Sequence, residues 1–212
     1  MNLHFLGTKI LLIILISQVL TSCLLLPGRL LPKVSNFPKK SATIPKPKVY
    51  IIAHYHSFNK FINTEPVESI GIKQAFTKIL EKIGKRSHVF ESYSFNRADS
   101  LGADFILQIN LLDYDTEKDS ASFRRKKLIS GLSLWLIPVT YVENYKLTAR
   151  LLDSQGHEVR TYLYEENIKA IIDLLFFPIG IVTSGVLRNV PENMVKNLYR
   201  DILIGPNLKI SK

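Results

Sequence analysis

The fold is decided by the stretch NYKLTARLLDSQGHEVRTYLY, residues 144–164. In its first part every second side chain is apolar, at Tyr145, Leu147, Ala149 and Leu151. Such alternation is typical of a strand with one buried face. The turn-forming residues SQGH then reverse the chain, and the β-rich stretch EVRTYLY returns. We therefore expect a β-hairpin here.

A strand–helix–strand unit precedes the hairpin. VYIIAHY at residues 49–55 is β-branched and aromatic, as in a buried strand. Apolar residues then recur with helical spacing over Ile72–Ile83, which predicts an amphipathic helix. SHVFESY at 87–93 predicts a second strand, and ADFILQINLLDYD at 103–115 predicts a third. Strands joined by a helical crossover are expected to be parallel.

The chain closes with a helix that we expect to begin at Pro191, because proline is favoured in the first turn. The side chains expected to face the core are Met194, Val195, Leu198, Ile202 and Leu203. Together these elements predict an α+β or α/β fold: a mixed sheet of about five strands with helices mainly on one face. The 212 residues suit one well-packed domain, which we place at 49–212.

The N-terminus has the pattern of a secretory leader. One positive charge, Lys9, precedes the apolar run ILLIILISQVL at residues 10–20, which is short for a bilayer span of roughly 20 residues. The run ends in Leu-Thr-Ser-Cys, with the chain's one cysteine at position 23. This tetrapeptide resembles the lipobox of bacterial lipoproteins.

That resemblance implies a signal peptide over 1–22 that includes a signal helix, cleavage between Ser22 and Cys23, and attachment of fatty acids such as palmitate at Cys23. Leu24 after the cysteine favours the outer over the inner membrane. The alternative is an uncleaved anchor, because Leu24, Leu25 and Leu26 continue the apolar run. Both interpretations place the remaining chain beside a membrane of the bacterial cell envelope, in the periplasm or at the cell surface.

Residues 23–48 are predicted to form a lipidated basic tether. The stretch has five prolines, many lysines and no apolar periodicity, which is typical of an extended linker. Its basic side chains would either lie against anionic headgroups or remain solvated.

Two apolar segments stand out, at residues 128–142 and 170–187. The first follows four basic residues and contains Trp135, a combination typical of membrane interfaces. In one interpretation both segments complete the core, the second as a buried helix. In the other they form an apolar patch that contacts the membrane or a partner through Trp135, Phe176 and Phe177.

No catalytic constellation is recognisable, so we predict a protein that is not an enzyme and that needs neither cofactor nor metal. His54 and His56 lie on one face of the first strand, but no ligand motif accompanies them. The net charge of +10 favours anionic partners. Nucleic acid is not expected, because the sequence carries no reading motif and an exported chain rarely meets it.

The strand ADFILQI and the hairpin LTARLLDSQG resemble small, uncharacterised periplasmic α/β lipoprotein domains, over roughly residues 49–156. The resemblance implies a location in the cell envelope and no particular partner. Three functions stay open: a non-enzymatic binding or scaffolding lipoprotein for a protein, glycan or lipid; a component of a lipid-transport or secretion assembly; and an enzyme with an unrecognised site.

Overall fold

A computed structural model describes residues 22–38, 46–58, 70–115, 121–133, 139–173 and 177–205. The strands in chain order are β1 (Ser22–Pro27), β2 (Lys48–Phe58), β3 (Ser92–Ser94), β4 (Phe105–Asp115), β5 (Val139–Asp153) and β6 (Glu158–Asp173). The α-helices are α1 (Ile70–Ser87), α2 (Ala121–Leu132) and α3 (Phe177–Ile204), and a 3-10 helix spans Arg97–Gly102. The predicted signal helix lies outside the described residues.

The six strands form one mixed sheet in the order β1-β6-β5-β4-β2-β3. β2 is parallel to both β3 and β4, as the crossover predicted, whereas β1 is antiparallel to β6. The predicted α+β fold with a mixed sheet of about five strands is thus confirmed. The sixth strand, β1, is an addition, because it comes from residues at the start of the predicted tether.

The hairpin forms where the alternation placed it. Among the described side chains of the hairpin, the buried ones on β5 are the four that the alternation selected, and those on β6 are Tyr162, Tyr164, Glu166 and Ile168. Asp153 closes the turn, because its carboxylate accepts the backbone N–H groups of Gln155 and His157, both at 2.9 Å. Gly156 has a φ of 86°, a conformation that glycine adopts without strain.

The second predicted strand is much shorter than expected. The helix α1 runs on through Ser87, and His88 leaves it with a φ of 48°. Val89 and Phe90 then pack into the core, so only three residues of β3 remain to pair with β2. The pairing of β3 with β2 is short because Val89 and Phe90, which the prediction placed in the strand, are buried in the core after the end of α1.

The last helix also differs from the prediction. It begins at Phe177, so Pro191 lies inside α3 and not at its start. A proline inside a helix removes one backbone hydrogen bond, and the packing of the following turns makes up for it. Four predicted core side chains there are buried: Met194, Val195, Leu198 and Ile202. Leu203 is only partly buried.

The apolar segment 170–187 is not one buried helix, because β6 continues to Asp173 and α3 begins at Phe177. The segment 128–142 is also divided, between the end of α2 and the beginning of β5. Within the described part of the chain, no helix is both long and apolar enough to cross a membrane.

The backbone divides into two compact units. The first unit consists of residues 1–28, 115–143 and 167–187. It includes β1, α2 and the end of β6. The second, the core unit, consists of residues 29–114, 144–166 and 188–212, and it holds α1, most of the sheet and the second half of α3.

Candidate membrane-facing and ligand-binding surfaces

The predicted lipidation residue lies in an edge strand. Cys23 is the second residue of β1, where its register partner on β6 is Ile172. The pairing continues to Pro27, which faces Ile168, and the N–H of Gly28 donates to the carbonyl of Asn167 at 3.1 Å. The chain after Cys23 is therefore part of the sheet from its first residues, where the sequence predicted a tether.

The stretch that follows β1 is held by three polar side chains of the core unit, which we call the backbone clamp: Glu166, Asn193 and Asn197. The Asn193 amide donates to the carbonyl of Leu31 at 3.2 Å, and the Asn197 amide donates to that of Pro32 at 3.0 Å. The N–H of Leu31 donates to the Glu166 carboxylate. Residues 31 and 32 are thus bound by their backbone, which differs from a free linker.

Glu166 is the clamp residue that is most costly to bury, because it is an ionisable side chain and the residue is only 3% exposed. Its Oε1 accepts the Asn193 amide at 3.0 Å, whereas Oε2 has no hydrogen-bond partner among the described residues. Burial raises the pKa of this carboxyl above 4.5, and the hydrogen bonds from Asn193 and Leu31 only partly oppose that shift.

This raised pKa predicts a pH-dependent stability. A carboxyl whose pKa is raised by folding favours the folded state when protonated, so its contribution is complete below pH 4.5 and is lost as the pH rises through the raised pKa. We expect Glu166→Gln to remove part of the fall in unfolding free energy above pH 4.5, as measured by urea titrations across that range. The exposed Glu158→Gln is the control, and identical pH profiles for all three chains would contradict the prediction.

The helix α2 exposes both apolar and basic side chains to solvent. Leu128, Ile129 and Leu132 are 65%, 51% and 79% exposed. Arg124, Arg125 and Lys126, one turn earlier, are exposed as well. Because a helix turns by roughly 100° per residue, Arg124, Leu128 and Leu132 lie in one row along its axis. We call these six residues the α2 patch.

The predicted contact residues cannot be added to this patch. Trp135 and Phe176 lie outside the described residues, and Phe177 is the first residue of α3. The sequence prediction noted the four basic residues before Leu128 but assigned no helix to them, and so it missed the patch. The signal that could have found it is the spacing of four between Arg124, Leu128 and Leu132.

A second surface is a basic groove of about 750 Å³ in the core unit. Its cations are Lys46, Arg86 and Lys196, and its other lining residues are Ser35, Asn36, Phe37, Pro38, Ser87, His88 and Leu203. No acidic residue is among the described residues that line it. Lys196 is partly compensated by Glu192, whose carboxylate lies 2.9 Å from its amine.

A shallower groove of about 470 Å³ runs between β6 and the end of α3. In it the Tyr164 hydroxyl donates to the Asp201 carboxylate at 2.7 Å, and the Arg160 guanidinium lies 5.4 Å from the centre of the Tyr162 ring. Burial and the neighbouring Asp201 raise the pKa of Tyr164. This tyrosine therefore remains a neutral hydrogen-bond donor and ties β6 to α3.

The two histidines of β2 lie next to each other in the structure. The rings of His54 and His56 are stacked, with centroids 5.9 Å apart. Within the described parts of the chain, no group of three or more His, Cys, Asp or Glu side chains could hold a metal ion.

Several solved structures are similar to this chain at low sequence identity. A minor lipoprotein from Acinetobacter baumannii is 10% identical with a TM-score of 0.42, over 76% of this chain and 93% of that one. Uncharacterized lipoprotein B from Nitrosomonas europaea is 17% identical with a TM-score of 0.40, over 84% and 90%. The PelC dodecamer from Paraburkholderia phytofirmans is 10% identical with a TM-score of 0.34, over 88% and 99%. No family model and no curated protein matches the sequence.

Proposed function

We propose that this chain is a lipid-anchored protein of the bacterial envelope, at the outer membrane, whose folded part lies against the membrane and binds a protein, glycan or lipid without catalysing a reaction. The observation that carries the proposal is the α2 patch, in which three exposed aliphatic side chains follow three exposed cations. Apolar side chains that enter the interface and cations that meet anionic headgroups are the two components of interfacial binding.

The position of Cys23 supports the same orientation. Cys23 and α2 belong to the same compact unit, so a lipid on this residue would hold the patch near the membrane surface. Each basic side chain near anionic lipid contributes about 1 kcal/mol. The patch alone is therefore a weak, salt-sensitive contact, and the lipid would supply the permanent attachment.

The contact can be tested with the mature polypeptide, residues 23–212, with Cys23 left unlipidated. It is expected to co-float with vesicles that contain phosphatidylglycerol and to bind phosphatidylcholine vesicles less. Leu128→Gln with Leu132→Gln is expected to weaken vesicle binding about tenfold, because two partly inserted leucines contribute roughly 0.7 kcal/mol each.

The matched control is Ile70→Gln with Leu101→Gln, two exposed apolar residues of the core unit at 77% and 98% exposure. This pair is expected to leave vesicle binding within twofold of the wild type. If both double variants bind equally well or equally poorly, the α2 patch is not the membrane contact.

The α2 patch also fits a second function, in a lipid-transport or secretion assembly, because exposed aliphatic side chains equally suit a partner protein. Crosslinking from a photoreactive residue at Leu128 in cells separates the two. Crosslinks to lipid favour direct membrane contact, whereas one recurrent protein adduct favours the assembly.

A further inference from the structure

We propose that the basic groove binds a phosphate-bearing ligand of the phosphoglycerol type. The groove lies in the core unit and shares no residue with the α2 patch, so this site is independent of the proposed membrane contact. Its polar residues suit a phosphate, and its apolar residues suit a short hydrocarbon portion attached to that phosphate.

The positive charge of the groove comes from three separate segments of the chain. Arg86 lies in the last turn of α1, Lys46 lies just before β2, and Lys196 lies on α3. Cations in the last turn of a helix are commonly explained by the helix dipole. That explanation covers Arg86 and its neighbour Lys85, but it does not cover Lys46 or Lys196, which the fold brings to the same groove.

His88 gives a second and independent indication. Its φ of 48° is in the left-handed region, where the residue that ends a helix is usually glycine. Residues with a side chain are uncommon there, and such residues cluster at binding sites. The residue in this conformation, His88, is one of those that line the basic groove.

The remaining wall explains why the ligand is expected to be more than a bare anion. Phe37, Pro38 and Leu203 form an apolar side to the groove. The volume of about 750 Å³ is within the range of sites for small organic ligands and far exceeds one phosphate group. A phosphoglycerol with a short acyl stub would place its charge on the cations and its hydrocarbon against this wall.

The test uses the mature polypeptide, residues 23–212, titrated by calorimetry with dihexanoyl phosphatidylglycerol below its micelle concentration. Arg86→Gln is expected to weaken binding roughly tenfold, because it removes a charge-assisted hydrogen bond to phosphate. Lys85→Gln removes the same charge one residue away and outside the groove, and it is expected to change the affinity by less than twofold. If both variants lose the same affinity for the lipid, the loss comes from the lower net charge of the protein and not from the groove, and the proposal is overturned.

His88→Gly is a second variant that we expect to remain folded, since glycine adopts the left-handed conformation without strain. We expect an unchanged or higher midpoint of thermal unfolding together with a weaker affinity for the lipid. Titrations with glycerol phosphate and inorganic phosphate identify the source of the ligand. If both bind more weakly than dihexanoyl phosphatidylglycerol, the site is assigned to a lipid. If glycerol phosphate binds as tightly as that lipid, the site is assigned to a soluble phosphoester. Absence of binding by all three probes at millimolar concentration, or unchanged affinity in Arg86→Gln, would overturn the proposal.

Discussion

Cys23→Ala is expected to abolish incorporation of a clickable fatty acid into this protein when cells are labelled during growth. The physical reason is that Cys23 is the one cysteine of the chain, so no second thiol can form the thioether to a diacylglycerol. Two or three acyl chains, at about 0.8 kcal/mol per buried methylene, contribute far more to membrane attachment than the α2 patch. The labelled band should therefore be lost completely.

The matched control is Ser35→Ala, which removes an exposed nucleophilic side chain twelve positions further along. It is expected to be labelled like the wild type. Labelling is quantified against the amount of protein in each lane, so that a poorly expressed variant is not mistaken for an unlabelled one. Equal labelling of wild type and Cys23→Ala would contradict lipidation at this residue.

The second large effect is expected at the backbone clamp. Asn193→Ala with Asn197→Ala removes the side-chain hydrogen bonds to the carbonyls of Leu31 and Pro32. Each bond contributes about 1 kcal/mol, so release of this stretch should become roughly 30-fold more frequent. Trypsin cleavage after Lys33 should accelerate by the same factor, because the neighbouring Val34 is buried until the stretch is released.

The control is Asn96→Ala, which also removes an amide that bonds the backbone, since Asn96 Oδ1 accepts the N–H of Ala98 at 3.1 Å. It caps the 3-10 helix far along the chain and should leave cleavage after Lys33 unchanged. Mass spectrometry of the fragments identifies the site of cleavage. If the double variant is cut faster at every basic residue and not selectively after Lys33, the amides stabilise the whole fold and do not act as a local clamp.

The elements that could be predicted from sequence are those whose signals are local. Alternation over Tyr145–Leu151 specified both the strand and its buried face, and helical spacing over Ile72–Ile83 specified α1. The parallel pairing of β2 with β3 followed from the helical crossover that joins them. In each case a few neighbouring residues contain the whole signal, because secondary structure depends mainly on the periodicity of burial.

The backbone clamp could not be predicted in this way. Asn193 and Asn197 reach carbonyls 162 and 165 residues away, at Leu31 and Pro32. The same proline-rich composition that indicates a linker also suits a chain held through its carbonyls, because proline loses only its N–H. Composition therefore could not distinguish a tether from a docked segment, and only the tertiary fold decides between them.

The surfaces differ in the same respect. The α2 patch was within reach of sequence reasoning, because its residues lie within one short helix. The basic groove was not, because Lys46, Arg86 and Lys196 are brought together by three separate segments. The role proposed for His88 could not be predicted either, since it rests on the backbone angle φ of this residue and not on the neighbouring sequence.

The pairing of β1 with β6 has a practical consequence for anyone who shortens this protein for expression. The composition suggests a cut before Val49, at the start of the predicted domain. Such a truncation would remove β1 and leave unpaired those N–H and C=O groups between Ile168 and Asp173 that β6 directs toward it. An unprotected apolar strand edge invites pairing between molecules and precipitation. An affinity tag is therefore better placed at the C-terminus, with residues 23–27 retained as the cover of that edge.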